Sequence, residues 1–212
     1  SGNPAAVATG DDGQVLTSAG AGAAPAFEAA SGGDYVKLES GTVSPSSSTV
    51  VIGEGYFTST YENYFVYLTN FVPSTNGAVR IRFNSGGSAL TGSEYQSMII
   101  QGTTATGGTD ALEDQNDFGA TSIRFAGDPA IGGDTTMGFC AQIWLPAMAQ
   151  TSPAINPMFY ASGRSGGIDA VSMRNFTTTG TYDATGAISG ITIFPNSGTL
   201  DAGEWVVYGL KS

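Results

Sequence analysis

The sequence predicts an all-β protein: a β-sandwich with jelly-roll-like connections, preceded by an extended Gly/Ala-rich N-terminal connector. Three observations carry that prediction. Apolar residues come in short bursts that alternate with polar ones, as a half-buried strand requires. Turn formers punctuate the whole chain, with 31 Gly and 9 Pro among 212 residues. No long stretch keeps helical periodicity without a Gly or Pro break. Roughly ten short strands packed as two sheets would enclose one sizeable core.

Residues 1–33 read as the connector. A Gly10-Asp11-Asp12-Gly13 turn leads into a short strand, residues 14–17, and then a tight Gly/Ala run ends at Ala24-Pro25-Ala26-Phe27. Ordering each residue costs roughly 1–2 kcal/mol, and this segment returns almost no buried apolar area. It is therefore a flexible linker or a segment that orders against copies of itself.

Residues 34–212 read as the sandwich. Residues 35–39 alternate as a first strand, and residues 49–52 follow as a second. Residues 61–73 form a long strand ending at Pro73. Period two places Glu62, Tyr64, Val66, Leu68 and Asn70 on one face and Asn63, Phe65, Tyr67, Thr69 and Phe71 on the other. Neither face is polar throughout, so both are expected to be covered. A hairpin turn at 74–77 leads to residues 78–84, where Val79, Ile81 and Phe83 point inward and Arg80 and Arg82 outward. Further strands are expected at 95–100, 121–125, 136–145, 157–162, 170–176, 191–195 and 205–210. Trp144, Trp205 and Cys140 lie within apolar runs and read as core residues.

The chemistry is bounded by what the composition lacks. The chain contains no His, which excludes Ser-His and Cys-His nucleophile systems and imidazole zinc sites. Cys140 is the single cysteine, so neither an intrachain disulfide nor a thiolate site can form. Lys37 and Lys211 fall outside any phosphate-binding Gly-rich motif. A net charge of −11, with seven basic residues against eighteen acidic, argues against nucleic-acid binding and against adhesion to anionic lipid. No apolar run is long enough for a membrane span, and no secretion signal opens the sequence. The acidic stretch with Asp110, Glu113, Asp114 and Asp117 lacks recognisable cation-loop spacing and reads as a solvated surface loop. The expectation is a non-enzyme without catalytic residues, metal or cofactor.

Two Gly/Thr-rich stretches offer a binding surface instead. Residues 160–167 bring Tyr160 and Arg164, and residues 174–183 bring Arg174, Asn175, Tyr182 and Asp183. Aromatic faces beside planar polar groups are what stacking and bidentate hydrogen bonding to a sugar require. Residues 162–167 and 174–183 read as the loops, distal to the connector, that would meet a ligand. The alternative is that Tyr160 and Phe176 are core or subunit-contact residues. On that reading Arg164 and Arg174 merely tie loops together through Asp169 or Asp183.

The run from Gly10 through Gln14-Val15-Leu16-Thr17-Ser18 and Gly20-Ala21-Gly22-Ala23-Ala24-Pro25 to Phe27 resembles the connector of tailed-phage tail fibres and other virion fibres. A second likeness spans two strand blocks. Tyr61, Tyr64, Val66, Leu68, Phe71 and Pro73, followed by Val79, Ile81, Arg82, Phe83, Gly86 and Gly87, are similar to the sandwich domain of phage fibre and receptor-binding proteins. So is the Val207-Tyr208-Gly209-Leu210 ending. The resemblance implies a homotrimeric virion subunit, made in the host cytoplasm. The connector would trimerise and meet other virion proteins, and the sandwich would face a host-surface glycan or protein. A head fibre or capsid decoration protein without a receptor role is the alternative, and a small glycan hydrolase is a second.

Overall fold

A computed structural model describes residues 7–29, 34–75, 78–105, 111–124, 138–148, 158–166, 172–183 and 186–210. Its described part is all β, without a helix. The strands are β1 (Gln14–Thr17), β2 (Ala26–Ala29), β3 (Tyr35–Thr42), β4 (Val50–Ile52), β5 (Asn63–Pro73), β6 (Val79–Ser85), β7 (Ser88–Ala89) and β8 (Tyr95–Ala105). They continue as β9 (Ala111–Ala120), β10 (Ile123–Arg124), β11 (Phe139–Pro146), β12 (Met158–Gly166), β13 (Ser172–Tyr182), β14 (Gly190–Pro195) and β15 (Leu200–Leu210). The chain divides into two units, Ser1–Asp34 and Tyr35–Ser212.

The first unit folds back on itself. β1 and β2 pair antiparallel, with Gln14 opposite Ala29 and Thr17 opposite Ala26. The entry turn is closed twice: the Gln14 backbone N donates to Asp11 O at 3.1 Å, and the Asp11 N donates to Gln14 Oε1 at 2.9 Å. Gly20 and Gly22 reverse the chain at φ of 96° and 87°, which only Gly adopts without strain. The Gly/Ala run is thus a hairpin loop, and the residues after Pro25 form its return strand. Val15 and Leu16 stay exposed.

The second unit is a two-sheet sandwich. Its small sheet has the order β10-β6-β14-β4, with β7 also on β6. Its large sheet has eight strands in the order β3-β15-β5-β11-β12-β13-β8-β9. Between them lies one core. Tyr64, Val66 and Leu68 of β5, Ile81 and Phe83 of β6, Ile143 and Leu145 of β11, Ile191 and Ile193 of β14, and Val207 of β15 are all buried there. β6 alternates as expected, with Val79, Ile81 and Phe83 inward and the two arginines half-exposed.

Several expectations are corrected. Phe71 is fully buried, on the core side with Tyr64 and Leu68, because a bulge interrupts the period. Two residues of β5, Thr69 and Asn70, lie between the Leu68–Ala141 and Phe71–Phe139 pairs, against one of β11, Cys140. Asn70 takes up the extra residue at φ 50°, the left-handed region that Asn tolerates better than most residues. The far side of β5 is not covered: Tyr67 and Thr69 are exposed.

β11 is a strict alternation. Phe139, Ala141, Ile143 and Leu145 are inside, while Cys140, Gln142 and Trp144 are outside. Cys140 and Trp144 are therefore surface residues rather than core. Trp205 is half-buried and packs against the core, its indole covering Gly41. The acidic stretch is no loop: from Ala111 onward it is β9, an edge strand of the large sheet. Charges on an edge strand discourage pairing with a further strand. Asp110, with Asn76 and Gly77 of the expected hairpin turn, lies outside the described residues.

Candidate functional site

The outward face of the large sheet is the unusual surface of this molecule. The register aligns a transverse row in which Tyr208, Phe65, Trp144, Tyr160, Thr179 and Met98 stand opposite one another on six successive strands. Two residues further along each strand, Val206, Tyr67, Gln142, Ser162, Thr177 and Ile100 form a parallel row. Side chains two residues apart share a face, so the two rows lie side by side. A face turned to water on an antiparallel sheet is ordinarily polar. Here Trp144 and Tyr160 each expose 42% of their surface, and Phe118, on β9, exposes 86%.

The small sheet supplies the contrast. Its outward side carries Arg80, whose Nε donates to Asn196 Oδ1 at 3.1 Å, and Arg82, whose Nε donates to Thr121 O at 2.8 Å. The Arg82 guanidinium also lies 4.5 Å from the centre of the Phe194 ring. That side is a conventional solvated face.

The polar ends of the aromatic face are held. Trp144 Nε1 donates to Asn63 Oδ1 at 3.1 Å, and Gln142 Nε2 donates to the Tyr67 hydroxyl at 3.4 Å. Ring contacts fix Tyr35 against Phe65 at 5.4 Å and Tyr67 edge-on to Tyr208 at 5.9 Å. The ring faces are thus preorganised while their apolar area is left to water. A groove of about 500 Å³ runs between Trp144, Tyr160, Met98 and Phe118, rimmed by Gln96 and Asn116. A smaller one, about 380 Å³, lies among Tyr35, Tyr67, Val206 and Tyr208. Such a surface suits flat apolar partners: side chains of another protein, or the CH face of a sugar ring.

The sequence-derived residues do not form one cluster of loops. Residues 160–166 belong to β12 and residues 174–182 to β13, both interior strands of the large sheet. Tyr160 is in the aromatic row. Asn175 is exposed, and its Cα partner across β12 is Arg164, which in turn faces Cys140 on β11. Arg174 is in register with Ser165 and Thr103. The side chains of Arg164 and Arg174 lie outside the described residues. Tyr182 is turned to the core side, its ring 4.7 Å from that of buried Tyr95. Burial first, and then the neighbouring Glu94 carboxylate, hold the Tyr182 hydroxyl above the ordinary tyrosine range. Asp183 is exposed, and its backbone N donates to Glu94 O at 2.8 Å. Phe176 is buried. Trp144, Met98, Ile100 and Phe118 were missed, because an apolar side chain on the water side of a strand carries no polar mark.

Among the described residues no group of three or more Asp, Glu or Cys side chains is placed to hold a metal ion. Asp117 of the acidic stretch is engaged otherwise. Arg124 Nε donates to its Oδ2 at 2.7 Å and Arg124 Nη2 to its Oδ1 at 2.6 Å, a fork that ties β9 of the large sheet to β10 of the small one.

Comparison with family models, curated proteins and solved structures returns no match.

Proposed function

We propose that this chain is a virion structural protein: a subunit of a tail fibre or fibre-like appendage that assembles as a homotrimer and holds its sandwich toward a host surface. The observation that carries this reading is the uncovered aromatic face of the large sheet. A chain of net charge −11 that leaves Trp144, Tyr67, Met98 and Phe118 in water as a monomer is built for surface contact. The fibre-like connector word, residues 10–27, supports the same reading from the other unit. Absence of His from the sequence favours assembly and recognition over catalysis.

Electron microscopy of virions with gold-labelled antibody against residues 34–212 tests the proposal. Labelling of projecting fibres is expected. Gold spread evenly over the capsid would instead favour the decoration protein, and virions without label would refute both.

A further inference from the structure

We infer that the outward face of the eight-stranded sheet is the interface between copies of this chain. The inference rests on the appendage reading and assigns the surface that would build it.

Three features select a second copy as the occupant. The first is charge. Every copy carries −11, so identical surfaces repel almost everywhere. Among the described side chains, the two aligned rows carry charge only at the β3 edge, at Lys37. Among faces of this molecule, that one lets two acidic copies approach closely. It also has the composition of an interface centre, with Tyr, Trp, Phe and Met in place of charged side chains.

The second feature is area. Eight strands spaced ~4.8 Å apart span roughly 34 Å, and rows of side chains two residues apart add roughly 15–20 Å in the other direction. The face therefore offers on the order of 500–700 Å² per subunit, close to the ~800 Å² per partner of a specific protein interface.

The third is asymmetry. The half built on β3, β15 and β5 is ring-lined, with Tyr35, Phe65, Tyr67 and Tyr208. The half built on β8 and β9 presents Met98, Ile100 and Phe118. Thioether and aliphatic side chains pack well on aromatic rings. Apposing two such faces sets the thioether and aliphatic half of one copy on the ring-lined half of another, so the face is complementary to itself. Tyr160 then becomes a subunit contact at the middle of the face, not a ligand contact on a loop.

Hydroxyl-radical footprinting of the unmodified full chain, read by mass spectrometry beside light scattering of the same sample, tests this. At concentrations where the chain is oligomeric, Met98, Phe118, Trp144 and Tyr160 are expected to oxidise severalfold more slowly than at dilutions where it dissociates. Exposed residues off the face, such as Tyr56 and Val51, should not change. The double variant Tyr67→Lys/Ile100→Lys should give a single-chain mass with the wild-type circular dichroism spectrum and a cooperative melt. An oligomer in which Met98 and Phe118 oxidise freely would overturn the interface while leaving the homotrimer standing. A single-chain mass for the wild type would overturn both. Protection of a monomeric chain by a neutral oligosaccharide would hand the face to a sugar and refute the inference.

Discussion

Replacing Tyr95 by Phe removes one oxygen atom, yet the structure makes it a costly change. β6 is paired on one side by two short strands: β10 meets it at Arg80 and Ile81, and β7 at Asn84 and Ser85. Phe83 falls in the gap between them. Its carbonyl accepts from the Leu90 backbone N at 2.8 Å, and its own N–H donates to the Tyr95 hydroxyl at 3.0 Å. That hydroxyl in turn donates to Leu90 O at 2.9 Å. A side chain from the large sheet thus completes the hydrogen bonding of the small one. Tyr95→Phe keeps the ring and its contacts with Phe83 and Tyr182 but strands a buried N–H and weakens the satisfaction of a carbonyl. At roughly 1–3 kcal/mol for an unsatisfied buried group, a loss of about 2–4 kcal/mol is expected. For a unit of this size that lowers Tm by roughly 5–15 °C. Thermal melts followed by circular dichroism, at matched protein concentration so that assembly contributes equally, measure it. Tyr67→Phe is the control, because its exposed hydroxyl only receives a long bond from Gln142. A Tyr95→Phe loss below about 0.5 kcal/mol, the size of an ordinary surface change, would refute the bridging role.

Three further outcomes are expected. Asn70→Val should cost about 1–2 kcal/mol in a denaturant melt, since a β-branched residue resists the left-handed conformation at φ 50°, whereas Asn70→Gly should be nearly neutral. Stability should fall as pH rises above ~10, the ordinary tyrosine pKa. Burial holds the Tyr64 and Tyr95 hydroxyls above that value. There the unfolded chain has lost protons that the folded chain keeps, so the folded state binds more and the slope of stability on pH is negative. Denaturant midpoints from pH 8 to 11 read this, and a flat profile would contradict it. A double-mutant cycle on Asp117→Asn and Arg124→Gln should give a coupling of roughly 1–3 kcal/mol, because the fork is only partly solvated.

Most of the sandwich was legible in the sequence because its inner faces are patterned. In β6 the Val79-Arg80-Ile81-Arg82-Phe83 alternation announced both strand and orientation. Where the outward residue was itself apolar, pattern reading failed. Trp144 and Cys140 alternate with Ile143 and Ala141, but an aromatic or a thiol on the water side carries no polar mark, so the whole run read as core. The β5 bulge was equally hidden, since Asn70 is compatible with a regular strand and with a left-handed turn. β9 and the later halves of β12 and β13 read as loops because Asp, Asn, Gly, Ser and Thr dominate them. They are strands because their backbones complete the wide sheet, a tertiary effect that local propensity does not contain. The candidate site suffered most from this. Tyr160 was picked out for its ring, but it shares its face with Trp144 from the preceding strand and with Met98, two strands across the sheet and far away in the chain. Register alone brings them together.

The proposed assembly of copies is tested by the mass of the chain in solution. Sedimentation equilibrium on the full chain at micromolar concentration should give three times the 21.5 kDa of one chain, dissociating on dilution as a single reversible step. A mass of 21.5 kDa that persists as concentration is raised would contradict it, and the aromatic face would then need another partner.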